Sequence, residues 1–199
     1  MNKGKRWVAA VFYLVLASVL VGIGVWQVGK GPERLSEERI AELREVYPIY
    51  PMRFPDAQLA SYRIPSLDEL IEDTDCFIYG EITGDANTYT NYRYTLRVIC
   101  DTKGIYEPGE ELTIPVDVRN RGYEPIFQVG MRIVYGTIAS KKNSKDTGYI
   151  TIGTYYVTDD GYVLSAFPEE PKTMKWHRPY TGVKVEYLLR KLRKPRWRG

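Results

Sequence analysis

The side chains able to do covalent or coordination chemistry are few: two cysteines, Cys76 and Cys100, and one histidine, His177. Both cysteines fall in segments that read as strands, Cys76–Thr83 (CFIYGEIT) and Tyr92–Cys100 (YRYTLRVIC). Successive residues of a strand point to opposite faces, so Cys76, Ile78, Gly80 and Ile82 share one face and Tyr94, Leu96, Val98 and Cys100 another. An antiparallel hairpin around the polar stretch 84–91 then sets 82 opposite 94, 80 opposite 96, 78 opposite 98 and 76 opposite 100. At a non-hydrogen-bonded pair the Cα atoms stand about 4.5 Å apart, within disulfide range, so a Cys76–Cys100 bond is expected. Two reduced thiols in core strands are the alternative, because a slip of one residue sends the cysteines to opposite faces. A redox pair would need Cys-x-x-Cys, which is absent.

Other chemistries lack their residues. A Ser-His-Asp triad has only His177 to draw on, in the linker-like Lys175-Trp176-His177-Arg178-Pro179, and no Gly-x-Ser-x-Gly accompanies it. No zinc spacing, phosphate-binding glycine loop or dinucleotide fingerprint is present. Asp68, Glu69, Glu72, Asp73 and Asp75 are close in sequence but do not form a calcium loop, and read as a solvated acidic face. The expectation is no catalytic, cofactor-binding or metal-ligating residue, and no cofactor.

Charge is distributed unevenly. The net charge is +3. Yet all 25 acidic residues lie within 32–189 against 18 basic ones, while the last ten residues carry six basic side chains and no acidic one. The body is therefore acidic between basic ends, which argues against nucleic acid as a partner. Lys141-Lys142-Asn143-Ser144-Lys145-Asp146 is a smaller basic turn. The stronger basic signal is the end of the chain. Val185, Leu188, Leu189 and Leu192 form a helical apolar stripe, flanked by Lys184, Arg190, Lys191, Arg193 and Lys194, with Arg196, Trp197 and Arg198 following. Basic amphipathic segments with tryptophan lie on anionic surfaces, so these eight residues are the candidate contact with anionic lipid or wall polymer; a solvated tail after a helix that caps the core, or a contact with a partner protein, are the alternatives.

The amino-terminal end carries an address. From Val8 to Trp26 no side chain is charged, and nineteen helical residues rise about 28 Å, close to the roughly 30 Å core of a bilayer. Trp7 and Trp26 bracket the run at headgroup level. Lys3, Lys5 and Arg6 precede it, which orients the amino terminus to the cytoplasm. A single-pass signal anchor in a bacterial cell membrane is expected, with a cleaved signal peptide as the rival. The domain plan is a cytoplasmic head (1–7), the anchor (8–26), a spacer helix and proline-rich stalk (27–65), a β domain (66–172), and a linker, amphipathic helix and basic tail (173–199).

Leu35–Tyr47 has helical periodicity, with Ser36 as cap and Pro48 as stop; it is either a spacer or a helix packed on the domain. Ser66-Leu67-Asp68-Glu69 is a capping box that opens a helix over Leu67–Glu72. Beyond the first two strands, others read at Glu111–Val118, Gln128–Ala139, Tyr149–Tyr156 and Gly161–Ala166, with a hairpin turn at Asp159-Asp160-Gly161. Pro115 marks an edge or bulge. Seventeen tyrosines and glycine-punctuated β segments make the class mainly β. Such strands must hide their edges. The fold expected is a small antiparallel barrel like the oligonucleotide/oligosaccharide-binding (OB) barrels, with a small β-sandwich as alternative, preceded by a transmembrane helix and flanked by short helices.

The succession Asp75-Cys76-Phe77-Ile78-Tyr79-Gly80-Glu81-Ile82, Tyr94-Thr95-Leu96-Arg97-Val98, the Lys103-Gly104 turn, Pro108-Gly109-Glu110-Glu111-Leu112-Thr113-Ile114-Pro115-Val116 and Phe127-Gln128-Val129-Gly130-Met131 resembles the small extracytoplasmic β-barrel domain of uncharacterised Gram-positive membrane-anchored or lipid-modified surface proteins. The resemblance covers about 66–166, implies a cell-surface setting and carries over no site residue. The function expected is a membrane-anchored extracytoplasmic binding or scaffold module held by the bilayer through 8–26. The alternatives are an envelope-polymer hydrolase with paired carboxylates and an accessory subunit that meets an envelope protein.

Overall fold

The computed structural model describes Tyr13 and residues 31–49, 67–86, 92–116, 127–138, 148–167 and 178–193. The chain divides into two compact units, Met1–Glu33 and Arg34–Gly199. The second unit holds α1 (Glu37–Leu43), α2 (Leu67–Asp73), β1 (Cys76–Asp85), β2 (Tyr92–Asp101), β3 (Glu111–Val116), β4 (Arg132–Ile138), β5 (Gly148–Val157), β6 (Val163–Ser165) and α3 (Val185–Leu192).

The six strands form one antiparallel sheet in the order β3-β2-β1-β4-β5-β6. The protein is mostly β with short helices, but the sheet is open, and the expected closed barrel does not form. β3 and β5 approach each other without pairing. Two features oppose closure. The Val98 N–H donates to the Glu110 carbonyl at 2.8 Å. By antiparallel alternation Leu112 and Ile114 turn their backbone groups to β2, while Thr113 and Pro115 turn theirs away. Pro115 therefore lacks a donor on the side where a closing strand would pair. On the other side, β6 already pairs with β5 over Tyr155–Val157. The open sheet also removes the basis of the resemblance to surface-protein barrels.

Each sheet face carries an apolar layer. The inner layer joins Ile78, Ile82, Leu96, Val98, Ile114, Ile133 and a set of aromatic rings, including Tyr94, Phe127, Tyr135 and Tyr156. Ile40 and Tyr47, from α1 and the turn after it, pack into this layer. The Tyr47 and Tyr156 ring centroids lie 5.5 Å apart, and those of Tyr94 and Phe127 5.2 Å apart, edge to face. Ser36 caps α1 by accepting the Arg39 N–H at 3.2 Å. The outer layer joins Phe77, Val134, Tyr155, Val157 and Val163 to Leu70 of α2 and the apolar stripe of α3. Where the helices end, the outer face of the sheet is polar: Arg97 pairs with Glu81 at 2.9 Å and faces Glu111, and Glu81 faces Arg132, so charges alternate in sign across four strands.

The membrane expectations find no support. Among the described residues no helix is long and apolar enough to cross a membrane. The run 8–26, Tyr13 apart, and Trp7 lie outside the described residues. The expected single-pass topology, the bilayer as partner and the placement outside a bacterial cell therefore lack the spanning helix they require among the described residues.

Candidate binding surface on the C-terminal helix

The cysteines are not joined: both are free thiols. The hairpin takes another register than the one expected, with Ile82 opposite Leu96 and Gly80 opposite Val98 rather than Tyr94 and Leu96, so Cys76 does not face Cys100, and a β-bulge then separates the two cysteines by face. Tyr79 pairs with Cys100 and Gly80 with Val98, which leaves Ile99 as an additional residue on β2. The extra residue turns Cys100 to the outer layer, while Cys76 stays in the inner one opposite Thr137 of β4. Burial pushes the Cys76 thiol up to about 12, with the nearby Asp101 carboxylate adding to the rise. Burial also raises the Cys100 thiol, against the opposing charge of Arg193. Thiols held in the neutral form are poor nucleophiles and poor metal ligands.

The carboxylates do not gather either. Among the described residues no group of three or more His, Cys, Asp or Glu side chains could hold a metal ion. The carboxylate with the most elaborate surroundings, Asp101 at the end of β2, is 7% exposed. It accepts the backbone N–H groups of Lys103 (2.5 Å), Gly104, Ile105 (2.8 Å) and Tyr106 (2.7 Å). Gly104 has φ +67°, the left-handed region that this turn requires. Sequence reading passed over Asp101, although Asp-Thr-Lys-Gly after a strand is an Asx-turn signal. The arrangement fastens a turn and leaves that carboxylate engaged. His177 and the basic turn 141–146 lie outside the described residues.

The remaining candidate surface is α3. Val185, Leu188, Leu189 and Leu192 are all buried against the outer layer. The apolar side of the helix is taken up by the sheet, as for a helix that caps the core, and is not left to face lipid. Glu186 in the first turn and Arg190 with Lys191 in the last suit the helix dipole. Lys184 is engaged at home, with Nζ 3.7 Å from the Tyr162 ring centroid and donating to the Asp160 carbonyl at 2.9 Å. Arg190, Lys191 and Arg193 are exposed, and none has a carboxylate within ion-pair distance among the described residues. Arg190 and Lys191 approach the Tyr187 ring, at 5.4 and 5.5 Å from its centroid. Of the eight basic-end candidates the structure thus brings Arg190 and Lys191 together beside Tyr187, leaves Arg193 exposed at the C-cap of α3, and assigns Lys184 elsewhere. Lys194, Arg196, Trp197 and Arg198 lie outside the described residues, as does Trp26.

No protein family and no curated protein matches the chain.

Proposed function

We propose that this domain is a binding module for an acidic polysaccharide, engaged through the solvent side of α3. The observation that carries the reading is the division of that helix. Its apolar stripe is buried, while Arg190 and Lys191 on the helix and Arg193 at its C-cap are exposed and have no carboxylate partner among the described residues. The body is acidic in sequence, so three cations with no carboxylate partner among the described residues form a local attractive spot for repeated anionic groups. Arginine offers a planar fork to carboxylate or sulfate oxygens, and lysine a point charge.

The test uses the full chain and heparin as the probe polyanion. Affinity is measured by titration calorimetry at several salt concentrations for the parent and for Arg190→Glu/Lys191→Glu/Arg193→Glu. All three positions are exposed, so the fold should persist, which circular dichroism checks. The variant should bind at least roughly tenfold more weakly, with a shallower dependence of log K on log salt. Equal affinity and equal slope for the two proteins would overturn the reading.

A further inference from the structure

The chain reaches α3 through residues 181–184, and this short stretch is stitched on both sides. On one side it extends the sheet. The Gly182 N–H donates to the Val163 carbonyl at 2.6 Å, the Val163 N–H to the Val183 carbonyl at 2.8 Å, and the Val185 N–H to the Gly161 carbonyl at 2.9 Å. On the other side lies the segment that leads into α1. The Leu35 N–H donates to the Gly182 carbonyl at 2.9 Å, and Arg34 forms a β-bridge with Val183. The Arg34 guanidinium donates to the carbonyls of Arg178 (3.1 Å) and Pro179 (2.6 Å). Gly182 has φ +79°, and a Cβ there would lie 2.9 Å from Ile40 Cδ1, so α1 seats directly on this turn. Arg44 at the far end of α1 donates to the carbonyl of Ser165, the last residue of β6, at 2.6 Å.

From this we infer that the segment Arg34–Arg44 is a clasp: its docking orders residues 181–184 and thereby sets how α3 presents its basic side. The ligand half of the inference rests on the polyanion reading above. Chain connectivity alone does not require the clasp, since α3 also has its own apolar contacts. The contacts do require that Gly182 and Val183 lose one of their two neighbours when the clasp lifts. Coupling of this kind is reciprocal: if the clasp favours the binding-competent helix, a ligand on the helix must favour the clasped state by the same factor.

The experiment compares the parent chain with Arg34→Ala by hydrogen–deuterium exchange, alone and with heparin. The Arg34 guanidinium donates to main-chain carbonyls of the turn, and Arg34 lies far in sequence from the basic residues. Losing its two bonds should speed amide exchange on the order of fivefold in 182–190 as well as at Leu35. It should also weaken heparin binding by a similar factor, and heparin should slow exchange at Leu35 in the parent. Faster exchange confined to 35–47, with 182–190 unchanged, would overturn the clasp. If the parent binds no heparin, the polyanion reading falls, while exchange at 182–190 in Arg34→Ala still decides the clasp.

Discussion

Replacing Asp101 by alanine should cost this domain about 2–4 kcal/mol. One nearly buried carboxylate there receives four consecutive backbone donors, from Lys103 to Tyr106. A hydrogen bond to a charged group contributes about 1.5–3 kcal/mol when its partner cannot find water. Lys103, Gly104 and Ile105 are exposed, so water replaces most of what their N–H groups lose, whereas Tyr106 is half-buried. Full additivity over four bonds would therefore overshoot, and two to three neutral-bond equivalents plus one poorly resolvated N–H give the stated range. The turn also carries two ties to the start of β1: Lys103 Nζ donates to the Thr74 carbonyl at 2.9 Å, and Thr102 Oγ1 accepts the Phe77 N–H at 3.0 Å. Urea unfolding of parent and Asp101→Ala, followed by tyrosine fluorescence, measures the cost as a shift in midpoint at constant m. Asp101→Asn should recover little, because its amide group turns a second donor toward donors. Amide exchange should accelerate first at 103–106. A cost below about 1 kcal/mol with protection of 103–106 unchanged would refute the argument that this carboxylate organises the turn.

Because Cys76 is free and its thiol sits at about 12 in the fold against an ordinary 9.0, the folded state holds a proton that the unfolded chain releases. Its contribution is complete below pH 9 and is lost as pH rises toward 12, and Cys76→Val should flatten that part of the stability–pH curve in urea titrations. Thiol titration of the native protein at pH 7.5 should be slow and should count two thiols after unfolding without reductant; a count of zero would show a disulfide. Gly80→Ala should cost about 2–3 kcal/mol, since its Cβ would lie 2.6 Å from the Arg97 carbonyl oxygen and 2.8 Å from the Leu96 side chain. Gly84→Ala, where the nearest atom would be Thr95 Oγ1 at 3.4 Å, is the control and should cost less than about 1 kcal/mol, both read by thermal unfolding.

Much of the local structure is legible because it depends on neighbours in the chain. Alternation places Ile78 and Ile82, or Tyr94, Leu96 and Val98, on one layer, and the structure puts them there. The cap at Ser36 and the glycines of the turns at Gly104, Gly109 and Gly161, all with positive φ, follow from side-chain and backbone sterics alone. The apolar stripe of α3 is visible at offsets of three and four, but periodicity says only that a stripe will be buried, not against what.

What periodicity leaves open is settled by contacts between distant residues. A single extra residue at Ile99 moves Cys100 to the opposite layer from Cys76, and nothing in YRYTLRVIC announces it, because a bulge is a property of the paired strand. Openness of the sheet depends on what lies beyond β3 and on β6 having taken the free side of β5. Whether Leu35–Tyr47 stands away from the domain or packs on it could not be told from its pattern; Ile40 seats because Gly182, 142 positions on, leaves room for it, and Tyr47 follows into the inner layer against Tyr156. The amino-acid sequence by itself determines where strands and turns fall and that charge gathers at the chain's end. The tertiary structure decides which faces those residues share, since hydrogen-bond pairing and close packing join positions that no local rule connects.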